Sequence, residues 1–183
     1  MGTGAIKKRE EIDPGFKWRL EDIYADEKLW EADFDHIKEL ASIIEGLQGT
    51  LGASAAALLK VLQHMEELSR KAEKIYVYAR MRRDEDNANH HYQALFDRAR
   101  SLSIQAGSVT SYIVPEILTI SEANLQKFMA ENNDLAVYRH YIEEILRQKE
   151  HILTTAEERI LAMSADLSLA AGRDRKSTRL NSS

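Results

Sequence analysis

Leu58-Leu59-Lys60-Val61-Leu62-Gln63-His64-Met65-Glu66-Glu67-Leu68-Ser69-Arg70-Lys71-Ala72-Glu73-Lys74-Ile75-Tyr76-Val77-Tyr78-Ala79 decides the fold of this chain. Leu58, Leu62, Met65, Leu68, Ala72, Ile75, Tyr76 and Ala79 recur at three- and four-residue spacing, the period of one helix face. Ile75-Tyr76-Val77-Tyr78 taken alone has strand propensity. The helical period runs through it on both sides and overrides that preference. With Ser54 as N-cap and an end near Arg83, the pattern predicts a helix about 45 Å long at 1.5 Å per residue.

The same period recurs on either side. Upstream, Asp26 is a good N-cap, and Leu29, Trp30, Phe34, Ile37, Leu40, Ala41 and Ile44 form a stripe that Gly46 should stop. Gly46 to Gly52 is then a loop. Downstream, Arg82 to Asn89 is a polar connection or a frayed helix end, followed by a third helix with Tyr92, Leu95, Phe96, Ala99, Leu102, Ala106, Val109 and Ile113. Pro115 should end or kink that helix. Gly107 costs it about 1 kcal/mol against alanine, which suggests a close helix–helix contact at that position. A short polar link between two long helices predicts an antiparallel pair. Ser121 should cap a short helix carrying Leu125, Phe128 and Met129. Asn132-Asn133-Asp134 should break it, with Asp134 capping a further helix to about His151. Thr154 and Glu157 have capping-box spacing, so a last helix is expected near Thr155, carrying Ile160, Leu161 and Leu167. No constant period supports a solenoid.

The fold class is therefore all-α: an antiparallel helical bundle of about five to six helices with long second and third members. Residues 1–25 read as an N-terminal arm whose aromatic and aliphatic positions, Phe16 to Tyr24, tack it onto the body. Residues 26–118 form the long-helix hairpin region and 119–172 a further helical region. Residues 173–183 hold one aliphatic residue and no periodicity, and are expected to be a disordered, non-native tail.

Composition agrees with this. The 183 residues are 44% hydrophobic and 30% charged, with two prolines, eight glycines and no cysteine. Disulfide frameworks, zinc ribbons and thiol nucleophiles are excluded. The formal charge is −5, divided between −8 for residues 1–172 and +3 for the tail. That balance argues against a nucleic-acid partner. No apolar run approaches the ~18 residues that span a bilayer. No export signal is evident, so the expected location is cytoplasmic.

Chemistry is harder to find. The histidines are His36, His64, His90, His91, His140 and His151; none is followed by glutamate, so His-Glu-x-x-His does not occur, and no two lie four apart. His140 with Glu143 and Glu144, His90 and His91 after Asp84, Glu85 and Asp86, and His151 before Glu157 and Glu158 are each better read as solvated or locally bonded groups than as metal or acid–base sites. Gly46, Gly49 and Gly52 follow no strand, which argues against a phosphate cradle. Arg80, Arg82 and Arg83 are followed at once by acidic residues and fit a salt-bridged exposed face. No catalytic, cofactor-binding or metal-ligating residue is assigned in this chain.

Several short patterns in order carry a resemblance. They are Trp18-Arg19-Leu20-Glu21-Asp22-Ile23-Tyr24 with Trp30, then Tyr76-Val77-Tyr78-Ala79-Arg80, Asp86-Asn87-Ala88-Asn89, Tyr92-Gln93 and Pro115-Glu116-Ile117-Leu118. Beyond these come Tyr138-Arg139-His140-Tyr141, Arg147-Gln148-Lys149-Glu150-His151-Ile152-Leu153 and Glu157-Glu158-Arg159-Ile160-Leu161-Ala162. Over about residues 8–172 the chain resembles the N-terminal region of oligoendopeptidase F proteins, relatives of the thimet-oligopeptidase-like zinc metallopeptidases. The resemblance implies a cytoplasmic enzyme that cuts medium-length oligopeptides with zinc held by a His-Glu-x-x-His helix, its N-terminal helices forming a wall of the peptide channel. No family catalytic residue maps onto this chain, which is expected to be inactive alone, and the tail from Arg173 does not resemble the family's continuation. The tail is expected to be foreign sequence from a truncated or misassembled reading frame. A stand-alone helical module that binds a peptide or protein partner is the alternative.

Overall fold

The computed structural model describes residues 11–148. The helix expected near Thr155, His151 with Glu157 and Glu158, and the tail 173–183 lie outside the described residues. Six α-helices are found among the described residues: α1 Glu27–Glu45, α2 Ala55–Glu85, α3 His90–Thr110, α4 Ile113–Thr119, α5 Glu122–Glu131 and α6 Arg139–Arg147. No strand occurs among those residues.

The starts follow local chemistry. Asp26 accepts from the Leu29 amide, Ser54 from Ala57, Asn89 from His91 and Tyr92, and Ser121 from Asn124, each satisfying a first-turn donor that the helix cannot. Two expectations need correction. The segment after α5 is capped by Asn132, which accepts from the Asp134 amide at 3.0 Å, so Asp134 is not the cap, and the segment opens as a 3₁₀ helix, Asn133–Tyr138, before α6. Pro115 neither kinks nor directly terminates α3. That helix already ends at Thr110, and Pro115 sits in the first turn of α4, where a missing N–H leaves no bond unmade. Gly46 does follow the last residue of α1, but in a right-handed conformation; the left-handed residue of the turn is Gly49, at φ 83°.

Named pairs set the register of the three long helices. Trp30 meets Ile75, Asp33 meets Lys71 and His36 meets Glu67, so α1 and α2 run in opposite directions. Tyr76 packs on Phe96, while Leu68 and Ala72 share a groove with Ala106 and Thr110, so α2 and α3 also oppose. Glu27 with His91 and Glu31 with Arg98 then show α1 and α3 running parallel. The shared core contains Trp30, Phe34, Ile37, Leu40 and Ile44 of α1, Leu58, Leu62, Leu68, Ala72, Ile75 and Ala79 of α2, and Leu95, Ala99, Leu102 and Ala106 of α3. Each fully buried large aliphatic side chain contributes roughly 1.5–3 kcal/mol. Leu29 departs from the expected stripe and is 51% exposed.

The arm divides in two. Leu20 and Tyr24 are buried; the Tyr24 ring meets Tyr78 edge-on at 5.3 Å, and its hydroxyl donates to Asp33 at 2.8 Å. Phe16 and Trp18 were expected to pack with them, yet they are 86% and 51% exposed. Phe16 closes a 3₁₀ turn, Pro14–Phe16, fixed by Asp13 accepting from the Gly15 amide, and Trp18 follows it.

Contacts group the chain into two units, divided between Arg139 and His140. The first holds all the packing above. In the described part of the second, Glu144 pairs with Arg147 at 2.8 Å, and Ile142 and Ile145 share one helix face.

Candidate functional site

The structure does not bring the groups weighed from the sequence together into a site, and several are paired with other side chains. His36 Nε2 lies 3.0 Å from Glu67, and its Nδ1 lies 3.6 Å from Glu39. The two carboxylates sit on opposite ring nitrogens and so cannot converge on one ion. His91 Nε2 lies 2.8 Å from Glu27, bridging the starts of α3 and α1. Among the described residues no set of three histidine, aspartate or glutamate side chains is placed to hold a metal, so they do not fit the zinc implied by the resemblance. His90 and His140 lie on exposed surface. The arginine cluster is an ion-pair network: Arg80 faces Asp84 at 3.7 Å, Arg83 bonds Asp84 at 2.7 Å, and Arg82 reaches Glu21 and Glu85. Arg82 also donates to the Tyr78 hydroxyl at 3.1 Å. A nucleic-acid groove would need these charges free.

Surface grooves among the described residues include two of note. One, of about 320 Å³, lies between α1 and α3 and is lined by Phe34, Lys38, Asp97, Arg98, Leu102 and Gln105, among others. Its arginine is already paired. Arg98 forms a two-pronged bond to Glu31, both prongs 2.6 Å, and lies over the rings of Phe34 and Trp30. That hydrogen bond holds the Glu31 carboxyl below its usual range and raises Arg98.

The second groove, of about 350 Å³, lies between α2 and α3. Leu68, Ala72, Ala106 and Gly107 give it an apolar surface, with Glu73 and Tyr76 as its larger polar members. Two of its hydroxyls are spent on their own helix: Ser103 donates to the Ala99 carbonyl and Thr110 to the Ala106 carbonyl, both at 3.0 Å. The surface left to a visitor favours an apolar side chain. Gly107 lines this groove, and a Cβ built on it meets nothing within 4 Å. The close helix contact expected at Gly107 is therefore absent among the described residues: no neighbouring helix requires the glycine. The sequence signal for this groove was present, a glycine inside a helical pattern, but its cause was misassigned.

Among the described residues the arrangement offers binding surface and no assembled nucleophile–base pair. The tightest tyrosine–carboxylate bond beyond the arm is Tyr138 to Glu66 at 2.6 Å, and burial together with that carboxylate pushes the phenol up to about 12, away from any role as an acid near neutrality.

Comparison with known proteins agrees with the all-helical architecture. The family model Oligopeptidase F matches residues 116–179, an interval that ends inside the basic tail. Oligopeptidase PepF of Bacillus subtilis is 39% identical over 162 residues, covering 88% of this chain and 24% of its own length. Group B oligopeptidase PepB of Streptococcus agalactiae is 34% identical, covering 90% of this chain and 27% of its own. The crystal structure of oligoendopeptidase-F from Enterococcus faecium superposes with a TM-score of 0.67 at 32% identity, over 77% of this chain and 27% of that one. A solved structure from Chlamydophila abortus gives 0.73 at 30% identity, over 92% and 29%. The chain thus spans about a quarter of the length of the curated relatives it matches. By sequence and by fold, it belongs to the oligoendopeptidase F family and corresponds to the N-terminal region of that family.

Proposed function

We propose that this chain is the non-catalytic helical part of an oligoendopeptidase F-like zinc metalloendopeptidase that hydrolyses medium-length oligopeptides in the cytoplasm, and that its helices form a wall of the peptide channel. The observation that carries this reading is the near-complete coverage of this chain by relatives named as oligopeptidases, of which it accounts for about a quarter. In this reading residues 26–118 supply the long-helix wall and 119–172 lead to the catalytic part. Zinc, when bound by such an enzyme, activates water for peptide hydrolysis; the described residues offer it no ligand set, so no step is assigned to them. Their part is to grip and exclude. A wall of packed helices with an apolar groove favours flexible peptides that can insert a side chain.

The test is a chimera. Residues 8–172 replace the matching quarter of Bacillus subtilis oligopeptidase PepF, and cleavage of an internally quenched peptide is followed. Turnover by the chimera, with none by the 183-residue chain plus zinc, supports the proposal. A folded chimera that loads zinc but does not cleave sinks the channel-wall role. Chelator-sensitive turnover by the chain alone sinks the non-catalytic role. Saturable peptide binding by the chain, with an inactive chimera, would instead favour a stand-alone binding module.

A further inference from the structure

The glycine-spaced loop already has a ligand. Gly49 is the one positive-φ residue among those described, and its amide and that of Leu51 converge on one carboxylate. Gly49 donates to Glu116 Oε2 and Leu51 to Glu116 Oε1, both at 2.8 Å, across 67 and 65 residues of sequence. Two backbone donors on the two oxygens of one carboxylate make an anion nest, and its charge-assisted bonds are stronger than neutral ones.

The bond adds a polar restraint to a short helix whose other restraints are mainly apolar. Helix α4 has seven residues, of which Ile113 and Ile117 are buried, and so short a helix does not hold its own place in water. Around it, the Tyr112 hydroxyl donates to the Ile44 carbonyl at the end of α1 at 2.6 Å, and Gly52 approaches the Ile120 side chain. Glu116 is also the first residue of the segment matched by the family model.

We propose that the loop 46–52 is a carboxylate receptor liganded in cis by Glu116, and that this bond fixes the register of α4 against the long helices. Glu116 is a positioning residue. Its carboxylate sets where α4 sits along and around its own axis, while Ile113 and Ile117 supply the apolar contact.

The test uses the full chain, its Glu116→Ala and Glu116→Gln variants, and amide exchange followed by NMR. In Glu116→Ala, the Gly49 and Leu51 amides and the α4 ladder should exchange on the order of tenfold faster, with the ladders of α1, α2 and α3 unchanged. Formate, the smallest carboxylate, should return the Gly49 and Leu51 resonances towards their original positions saturably, whereas chloride at equal ionic strength should not. Glu116→Gln keeps one acceptor oxygen and should protect one of the two amides, which leaves the idea testable if the alanine variant does not fold. Unchanged protection of both amides in either variant overturns the proposal, as does a formate response no greater than that to chloride. Uniform loss of protection across α1, α2 and α3 overturns it as well.

Discussion

Replacing Gly107 by alanine should stabilise this chain. Within a helix, glycine is worth roughly 0.5–1 kcal/mol less than alanine, because the unfolded chain gives up more freedom. Had the glycine been required by a close helix–helix contact, the added methyl would clash and the sign would reverse. A Cβ at this position meets nothing within 4 Å, so no steric penalty offsets the gain. Gly107 lies in the last turns of α3, where fraying trims the effect towards the lower end. For a chain of this size the expected gain raises Tm by roughly 1–4 °C. Urea titration followed by circular dichroism gives the answer, with the midpoint rising and the slope unchanged. A lower midpoint for Gly107→Ala would refute the reasoning, since it would mean that backbone or side chain approaches this position after all. Gly107→Leu extends the test, because its side chain reaches into the groove. It should be tolerated in the isolated chain; in the peptidase chimera it should cut turnover if that groove faces the substrate.

Trp30→Phe should cost about 2–4 kcal/mol, since it removes a buried indole N–H bond to the Ile75 carbonyl and leaves unfilled volume at the α1–α2 contact; a loss under 0.5 kcal/mol would show that the bond is incidental. Acidification should lower the urea midpoint. Burial pushes the Asp33 carboxyl up, but hydrogen bonds from Lys71 and Tyr24 outweigh it and hold the group below its usual range, while the Arg98 bond lowers Glu31. Depressed folded values mean that this stability is complete above the unfolded carboxylate pKa of about 4 and fades as pH falls through the folded values. The double variant Glu31→Gln/Asp33→Asn should flatten that part of the profile, and an unchanged slope would count against the assignment. Iodide should quench Trp18 while sparing Trp30, so Trp18→Phe should abolish most of the quenchable fluorescence and leave the urea midpoint in place.

Short-range information made most of the helices legible. Asp26, Ser54 and Ser121 act on amides three residues away, so sequence alone suffices to find them. The apolar stripes of α1, α2 and α3 were readable for the same reason, since helical period is a local property. Leu29 marks the limit of that method: a stripe has edges, and the neighbour chosen for burial was Trp30, whose ring reaches across to α2. Asp134 and Asn132 are both competent caps, and the choice between them depends on where α5 ends. The features that give the candidate site its character join distant positions. Glu116 and Gly49, Arg98 and Glu31, and Tyr24 and Asp33 carry no mark of one another in the sequence. Gly107 could be flagged as unusual but not explained, because an open groove and a tight contact leave the same trace in one dimension.

The parallel pairing of α1 with α3 has a consequence during synthesis. Glu31 and Arg98 stand 67 residues apart, with the whole of α2 between them. At roughly 5–20 residues per second, a ribosome needs on the order of 3–13 s to make that interval. The same delay separates the emergence of the two from the exit tunnel, and during it the greasy side of α1 lacks its second neighbour. The nascent chain is therefore most vulnerable to chaperone capture or self-association in that window, and slowing translation within α2 would lengthen it.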